Sequence, residues 1–142
     1  MSTHEKTWSL HPKLEADCHR LLSDERCEIL LHRNSQLHWI LLVPKTTHID
    51  LLDLPAEELA NLMQRARVIG RLLKSHYNYP RVNVGALGLL VPQLHLHVIG
   101  RSPTDPCWPN PIWGQIPDGG AYSEAEVSEV RGQLKAVFGD PS

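Results

Sequence analysis

Cysteine is scarce in this chain. Cys18, Cys27 and Cys107 are the whole complement among 142 residues, an odd number with no C-x-x-C pair, which argues against a disulfide framework or a cysteine-rich zinc site and suits a reducing compartment. Long apolar runs are missing too. No stretch of 18 apolar residues occurs, and the amino-terminal "MSTHEKTWSLHPKL" has no apolar core of the signal-peptide kind, so neither a membrane span nor a leader is expected and the location reads as cytoplasmic. Charge of one sign is not in excess either: 14 Lys+Arg face 16 Asp+Glu, which offers no bulk attraction for duplex DNA, and no specific nucleic-acid partner is expected. Internal repeats and low-complexity tracts are absent. The length is that of one ordinary domain with a core of its own, and residues 1–142 are read as a single domain.

Nine histidines are many for this length, and their spacing is informative only within the elements that carry them. "HPKLEADCHRLLSDE" has Pro12 where a helix can begin and Leu14, Cys18, Leu21 and Leu22 at helical spacing, which predicts a short amphipathic helix. "RCEILLHR" and "LHWILLVPK" are apolar runs separated by "NSQ", the second stopped by Pro44, and read as a strand hairpin. In "LLDLPAEELANLMQRARVIGRLLKSHY", Asp53 is the expected cap, Pro55 and two glutamates form the first turn, and Leu59, Leu62, Met63, Ala66, Ile69, Leu73 and Tyr77 follow a 3.6-residue period. "RVNVGALG" reads as a third strand entering a glycine turn, and "LHLHVIGR" as a fourth. Residues 102–120 hold five of eleven prolines, two of four tryptophans and three glycines, too many for regular structure. "SEAEVSEVRGQLKAVFG" closes with a Ser123/Glu126 capping box, an apolar stripe of Val127, Val130, Leu134 and Val137, and a Gly139 stop. The order of elements implies an α+β fold: an antiparallel sheet, one long helix packed on it and a C-terminal helix.

On a strand, alternate side chains share a face. Gln93, His95, His97 and Ile99 would therefore point one way, and Leu94, Leu96 and Val98 the other. The leucines belong to a core and the imidazoles to a cleft or to solvent. Two imidazoles roughly 7 Å apart on a rigid strand could hold two oxygens of one tetrahedral anion, or divide the work of nucleophile and support.

"QLHLHVI", with "NVGALG" before it and "DERCEILLH" and "HWILLVPK" further back, resembles the histidine triad (HIT) superfamily of nucleotide hydrolases and transferases, whose signature is H-φ-H-φ-H-φ-φ with φ apolar. The likeness runs from about Asp24 to Arg101, with residues 102–142 as the proline- and tryptophan-rich segment and terminal helix. It implies a HIT-like domain in which His95 is the nucleophile toward the α-phosphorus of a nucleotide and His97 holds phosphate oxygens. Gln93 stands at the first histidine of the signature, Asn83 matches an asparagine of the family's N-x-G segment, and His38 is the candidate for a fourth histidine behind the nucleophile. The resemblance also implies a nucleotide substrate, no cofactor and a homodimer. This chain departs from the family's pattern in three places. Arg33 and Asn34 stand where many members carry an acid for ribose, and Leu89, Leu90, Val91 and Pro92 replace Gln and Ser/Thr phosphate donors. Gln93 can position an oxygen but cannot act as a general acid near pH 7.

The chemistry this implies is covalent: His95 takes the nucleotidyl group, and water then releases it. For that, the far ring nitrogen of His95 must be a held donor, to a backbone carbonyl or to His38. No metal is required. Two rival readings stand beside it. One is a nucleotide-phosphate-binding protein without turnover. The other is a metal enzyme with His95 and His97 as ligands, for which Asp50, His48 and Glu28 are the available third ligands. Trp108 and Trp113 read as anchors of their segment or as base-stacking groups, Arg101 as a solvated strand end, and Arg65, Arg67 and Arg71 as an exposed helix face. Cys107 has no base near it in sequence.

Overall fold

The computed structural model describes residues 7–139, so the first six residues of the amino-terminal stretch read above lie outside it. Five strands form one antiparallel sheet: β1 (Cys18–Ser23), β2 (Cys27–His32), β3 (Trp39–Pro44), β4 (Arg81–Gly85) and β5 (Leu96–Arg101), in the order β1-β2-β3-β5-β4. Helices are α1 (Pro12–Asp17), α2 (Ala56–Ser75) and α3 (Glu124–Phe138), with one 3₁₀ turn at Leu51–Asp53. The α+β reading holds, with one strand more than the sequence suggested.

The extra strand replaces most of the expected first helix. Only six residues are helical, and Cys18–Ser23 pairs with β2 from Cys18 opposite His32 to Ser23 opposite Glu28. A bulge between Arg20 and Leu22 shifts the register, and consecutive Leu21 and Leu22 are both buried. A bulge adds a residue and breaks strict alternation, which is why the apolar spacing imitates a helix.

Both faces of the sheet are covered, so β2, β3 and β5 are buried nearly throughout. One face packs Ile29, Leu31, Ile40, Leu42, Leu96 and Val98 under α2 and α3. The other packs Leu30, Leu41, Val43 and Ile99 under α1 and the irregular segment that supplies Cys107 and Ile112. Leu94, Leu96 and Val98 thus point away from Ile99, as alternation requires.

The N-cap of helix α2 is Pro55 rather than Asp53, which lies in the 3₁₀ turn. Proline presets the helical φ, and Glu57 and Glu58 sit favourably at the positive end of the helix dipole. Within the expected stripe Met63 is exposed, and Leu72 is buried instead. Arg65 is not a free surface cation, since it pairs with Asp24 at 2.8 Å and ties α2 to the β1–β2 turn. Helix α3 has the expected reciprocal capping box and ends at Gly139 with φ +83°. Val137 of its stripe is exposed, and Phe138 packs against the core in its place.

Candidate functional site

Strand β4 ends at Gly85, and the chain leaves the sheet through a turn at Gly88, whose φ of +66° favours glycine. It returns through Val91–Gln93 into β5. This detour opens a cleft of about 430 Å3 on the α1 side of the sheet, with His95 and His97 in its wall. Leu14 and Asp17 of α1, His32 of β2, Trp39 and Leu41 of β3, and Trp113 of the irregular segment complete most of the lining. Gly85 gives the Trp113 ring room to approach, since a Cβ on it would lie 3.0 Å from that ring. His95 and His97 are both buried, and their ring centroids are 4.9 Å apart, closer than an ideal strand spacing because His95 precedes the first residue of β5.

The back nitrogens of the two rings fix opposite tautomers. His95 Nδ1 is 2.8 Å from the main-chain oxygen of Gln93. A carbonyl only accepts, so Nδ1 carries the hydrogen and Nε2 of the neutral ring keeps its lone pair. His97 Nδ1 is 2.9 Å from Trp39 Nε1. An indole N–H only donates, so His97 Nδ1 is the acceptor and the ring's hydrogen sits on Nε2. Burial, then the neighbouring His95 and His32, push the His97 pKa down to about 3, so His97 is a neutral donor at any physiological pH. The wall of the cleft therefore presents one ring nitrogen with a free lone pair beside one N–H donor. His32 stacks on Trp39 at 3.8 Å, and its Nδ1 accepts from Asn34 N–H, which by the same reasoning leaves Nε2 as donor. Burial lowers its pKa too.

The other sequence candidates are placed differently. Gln93 does not line the cleft: its Oε1 accepts from His11 N–H at 2.8 Å, and its Nε2 donates to the Ser9 carbonyl at 2.9 Å. The side chain expected to face phosphate instead holds the segment leading into α1. Its main-chain carbonyl, not its amide, reaches the site. Asn83 lies on the same sheet face as His97 but further along β4, opposite Ile99, where its Oδ1 accepts from Arg101 at 2.8 Å. His38 is on the far face. It leans on Tyr77 at 4.1 Å, and its Nδ1 meets the Tyr79 hydroxyl at 2.8 Å. Trp39, one residue on, fills the position behind the histidine pair. Arg101 is not solvated at a strand end but buried, with both its Nε and one terminal nitrogen on Asp105. Burial would raise the Asp105 pKa, and Arg101 with the N–H groups of Cys107, Ser102 and Trp108 outweighs it. This lock pins the irregular segment that carries Trp113 over the cleft.

Arg33 and Asn34 do not enter the cleft either. Arg33 Nε donates to the Ala16 carbonyl, and Asn34 bonds the Pro117 carbonyl. The carboxylate that lines the cleft is Asp17, contributed by α1. Trp39, His32 and Asp17 are cleft residues that sequence reasoning did not single out; the apolar–aromatic pattern of β3 gives no sign that an indole 58 positions away will partner His97. Cys18 is in the lining, but burial raises its thiol pKa to about 12, so it is a packing residue. Among the described residues no three histidine, cysteine or carboxylate side chains converge where a metal ion could be held. His48 and Asp50 are exposed, and Glu28 is buried against Ser23. No helix of the described residues is long and apolar enough to cross a membrane.

Comparison with known proteins places the fold. No curated protein matches the chain. A histidine triad protein from Marinobacter aquaeolei VT8 is 33% identical and superimposes with a TM-score of 0.85 over 94% of this chain and 97% of its own. A histidine triad protein from Bradyrhizobium japonicum is 32% identical, with a TM-score of 0.84 over 92% and 98%. A diadenosine triphosphate hydrolase from Plasmodium falciparum shares the fold at 16% identity and a TM-score of 0.55, over 97% and 86%. The HIT domain matches residues 13–104, and with two structural relatives above 30% identity over nearly the whole chain, this protein belongs to the HIT family.

Proposed function

We propose that the chain is a nucleotide hydrolase or transferase that works through a nucleotidyl-histidine intermediate on His95. The observation that carries this reading is the opposed pair of tautomers: one buried imidazole with a free lone pair beside one buried imidazole with a free N–H, both on one cleft. His95 Nε2 attacks phosphorus, a P–N bond forms, and the bond to the leaving group breaks, the leaving group departing with a proton from solvent. The ring becomes cationic as it bonds, and its Nδ1–H, held on the Gln93 carbonyl, gains strength as the charge develops. His97 Nε2–H donates to a phosphoryl oxygen. Water then attacks the same phosphorus and returns His95 to its starting tautomer. Asp17 is the acceptor the cleft offers to sugar hydroxyls, in the role the sequence left unfilled.

Family membership and the Plasmodium hydrolase that shares the fold support a nucleotide substrate. Within the family, the chain represents a variant motif in which Gln93 stands at the first histidine and acts from outside the cleft. Its assembly is a homodimer joined at the edge of β4, where Val84 is 46% exposed on a strand with no outer partner among the described residues. Three unpaired buried cysteines fit a cytosolic setting. Quenching the protein in alkaline denaturant, in which a P–N bond to histidine survives, during turnover of a labelled nucleoside phosphoramidate tests the mechanism. A labelled histidine adduct is expected on the wild type and not on His95→Ala. Nucleotide binding with no adduct and no turnover would instead make this a binding protein.

A further inference from the structure

The cleft is poor in charge. Among the described residues that line it, Lys13 is the one Lys or Arg, and its ammonium is 2.8 Å from Asp17, also in the lining. The nearby guanidinium groups are committed elsewhere, Arg33 to the Ala16 carbonyl and Arg101 to Asp105. The donors that remain, on His97 and His32, are uncharged. Such a wall can hold the oxygens of one phosphoryl group but has nothing to neutralise the several charges of a polyphosphate chain.

The mouth beside His95 is built of the opposite material. Leu89 and Leu90, which line the cleft, are 90% and 94% exposed, and Leu87 is 48% exposed. Ile49 lies against this loop, with its carbonyl near Gly88, and is exposed as well. Bare leucines in series are unfavourable on a lone protein surface. Here they are continuous with the cleft, on the loop that leads to the nucleophile.

We propose, resting on the hydrolase reading above, that the substrate is a nucleoside monophosphate bonded through phosphorus to an apolar leaving group, which Leu87, Leu89 and Leu90 receive, and that polyphosphates are poor substrates. With an amide substrate the P–N bond to the amine breaks as the bond to His95 forms, the amine leaves protonated, and water converts the adduct to the nucleoside monophosphate. The burial of the amine's hydrocarbon part against the leucines supplies binding energy remote from the reacting bond.

Adenosine 5′-phosphoramidates of methylamine and hexylamine, amines of matched basicity, separate this effect from leaving-group reactivity. The full chain is expected to show kcat/KM about tenfold or more higher for the hexylamide, the scale on which apolar pockets discriminate, and to turn over diadenosine triphosphate more slowly than either. In the double variant Leu89→Ser/Leu90→Ser, whose changes remove little packing, the hexyl-to-methyl ratio should fall to about 1. Similar rates on all three substrates would overturn the inference and leave the hydrolase reading standing, as would a ratio that survives in the variant. If the variant lowered both amides equally and lost its dimer, the leucines would be a contact between copies of this chain and the inference would fail. No turnover and no adduct with any of the three would remove the hydrolase reading itself.

Discussion

Two groups of histidines sit back to back across the same sheet, and they have been put to different uses. On the α1 side, His95 and His97 have their Nδ1 atoms held by a carbonyl and an indole N–H, and their outer nitrogens face a cleft. On the α2–α3 side, His38 leans on Tyr77 with Nδ1 on the Tyr79 hydroxyl, and His76 meets Glu129 at 2.9 Å, as does the Tyr77 hydroxyl at 2.6 Å. Burial lowers the pKa of His38 as well, against Glu129 and Glu126, which raise it. A depressed pKa therefore does not separate the two groups. What separates them is open volume in front of the ring, which a sheet offers only on the face where its connections part.

The sharpest way to break the comparison is to remove one ring from each side. His95→Ala should lower phosphoramidate hydrolysis on the order of 10³-fold or more, as loss of a covalent nucleophile does, with its thermal midpoint close to that of the wild type. His38→Ala should do the reverse, keeping kcat/KM while costing about 1 kcal/mol, because the Tyr79 hydroxyl loses a partner. Steady-state kinetics and thermal unfolding on both proteins decide this. Comparable activity in His95→Ala would end the nucleophile assignment.

A second test probes the wall between the groups. Leu96 is 1% exposed and packs on the α2 face between the two histidines. Leu96→Ala should cost about 2–5 kcal/mol through the cavity it leaves. An unchanged urea midpoint would mean that the in/out register of β5 is wrong.

Protonation sharpens the comparison more gently. His97 has a folded-state pKa of about 3 against an ordinary 6.5, so the unfolded chain binds a proton across that window that the folded chain refuses. Stability is then fully present above pH 6.5 and declines as pH falls toward 3, with a slope near 1.4 kcal/mol per pH unit for one proton. His32 and His38 shift in the same direction. His97→Gln should flatten the acid limb of a stability–pH curve by one proton's share while the shares of the other two persist. Identical slopes in variant and wild type would show that His97 takes up its proton while folded.

Strand β5, helix α2 and the capped helix α3 were legible because their apolar periods are long and both faces of the sheet demand them. The site was legible in its two central histidines for the same reason. Its surroundings were not. A strand repeats every two residues, so taking His38 in place of Trp39 moves the candidate to the opposite face of the sheet. The bulge at Arg20–Leu22 hid β1 inside a helical spacing. Arg101 reads as a solvated strand end because the pattern of β5 does not say that Asp105, Asn83 and the Asn110 carbonyl will close around it. Each miss turns on which partners a side chain meets once the sheet is assembled, and the apolar pattern does not encode that.

Gln93 ties these levels together, and its removal is the finest test. If its amide held phosphate, Gln93→His would restore a charged donor and raise kcat, and Gln93→Ala would lower kcat. The observed contacts point elsewhere: the amide satisfies one carbonyl and one N–H of the Ser9–His11 segment, and that segment leads into α1, whose Leu14 and Asp17 line the cleft. Loss of two hydrogen bonds to a partly exposed segment costs about 1–3 kcal/mol, enough to loosen the wall without touching His95, whose Nδ1 is held by the main chain of residue 93 whatever its side chain. Gln93→Ala should therefore raise KM several-fold with kcat nearly unchanged, and Gln93→His should behave like it, because an imidazole is too short and rigid to meet both backbone groups. Amide hydrogen exchange should quicken at His11 and Lys13 in both variants. A Gln93→His protein with higher kcat and unaltered exchange would return residue 93 to the phosphate and leave α1 to be held by its packing alone.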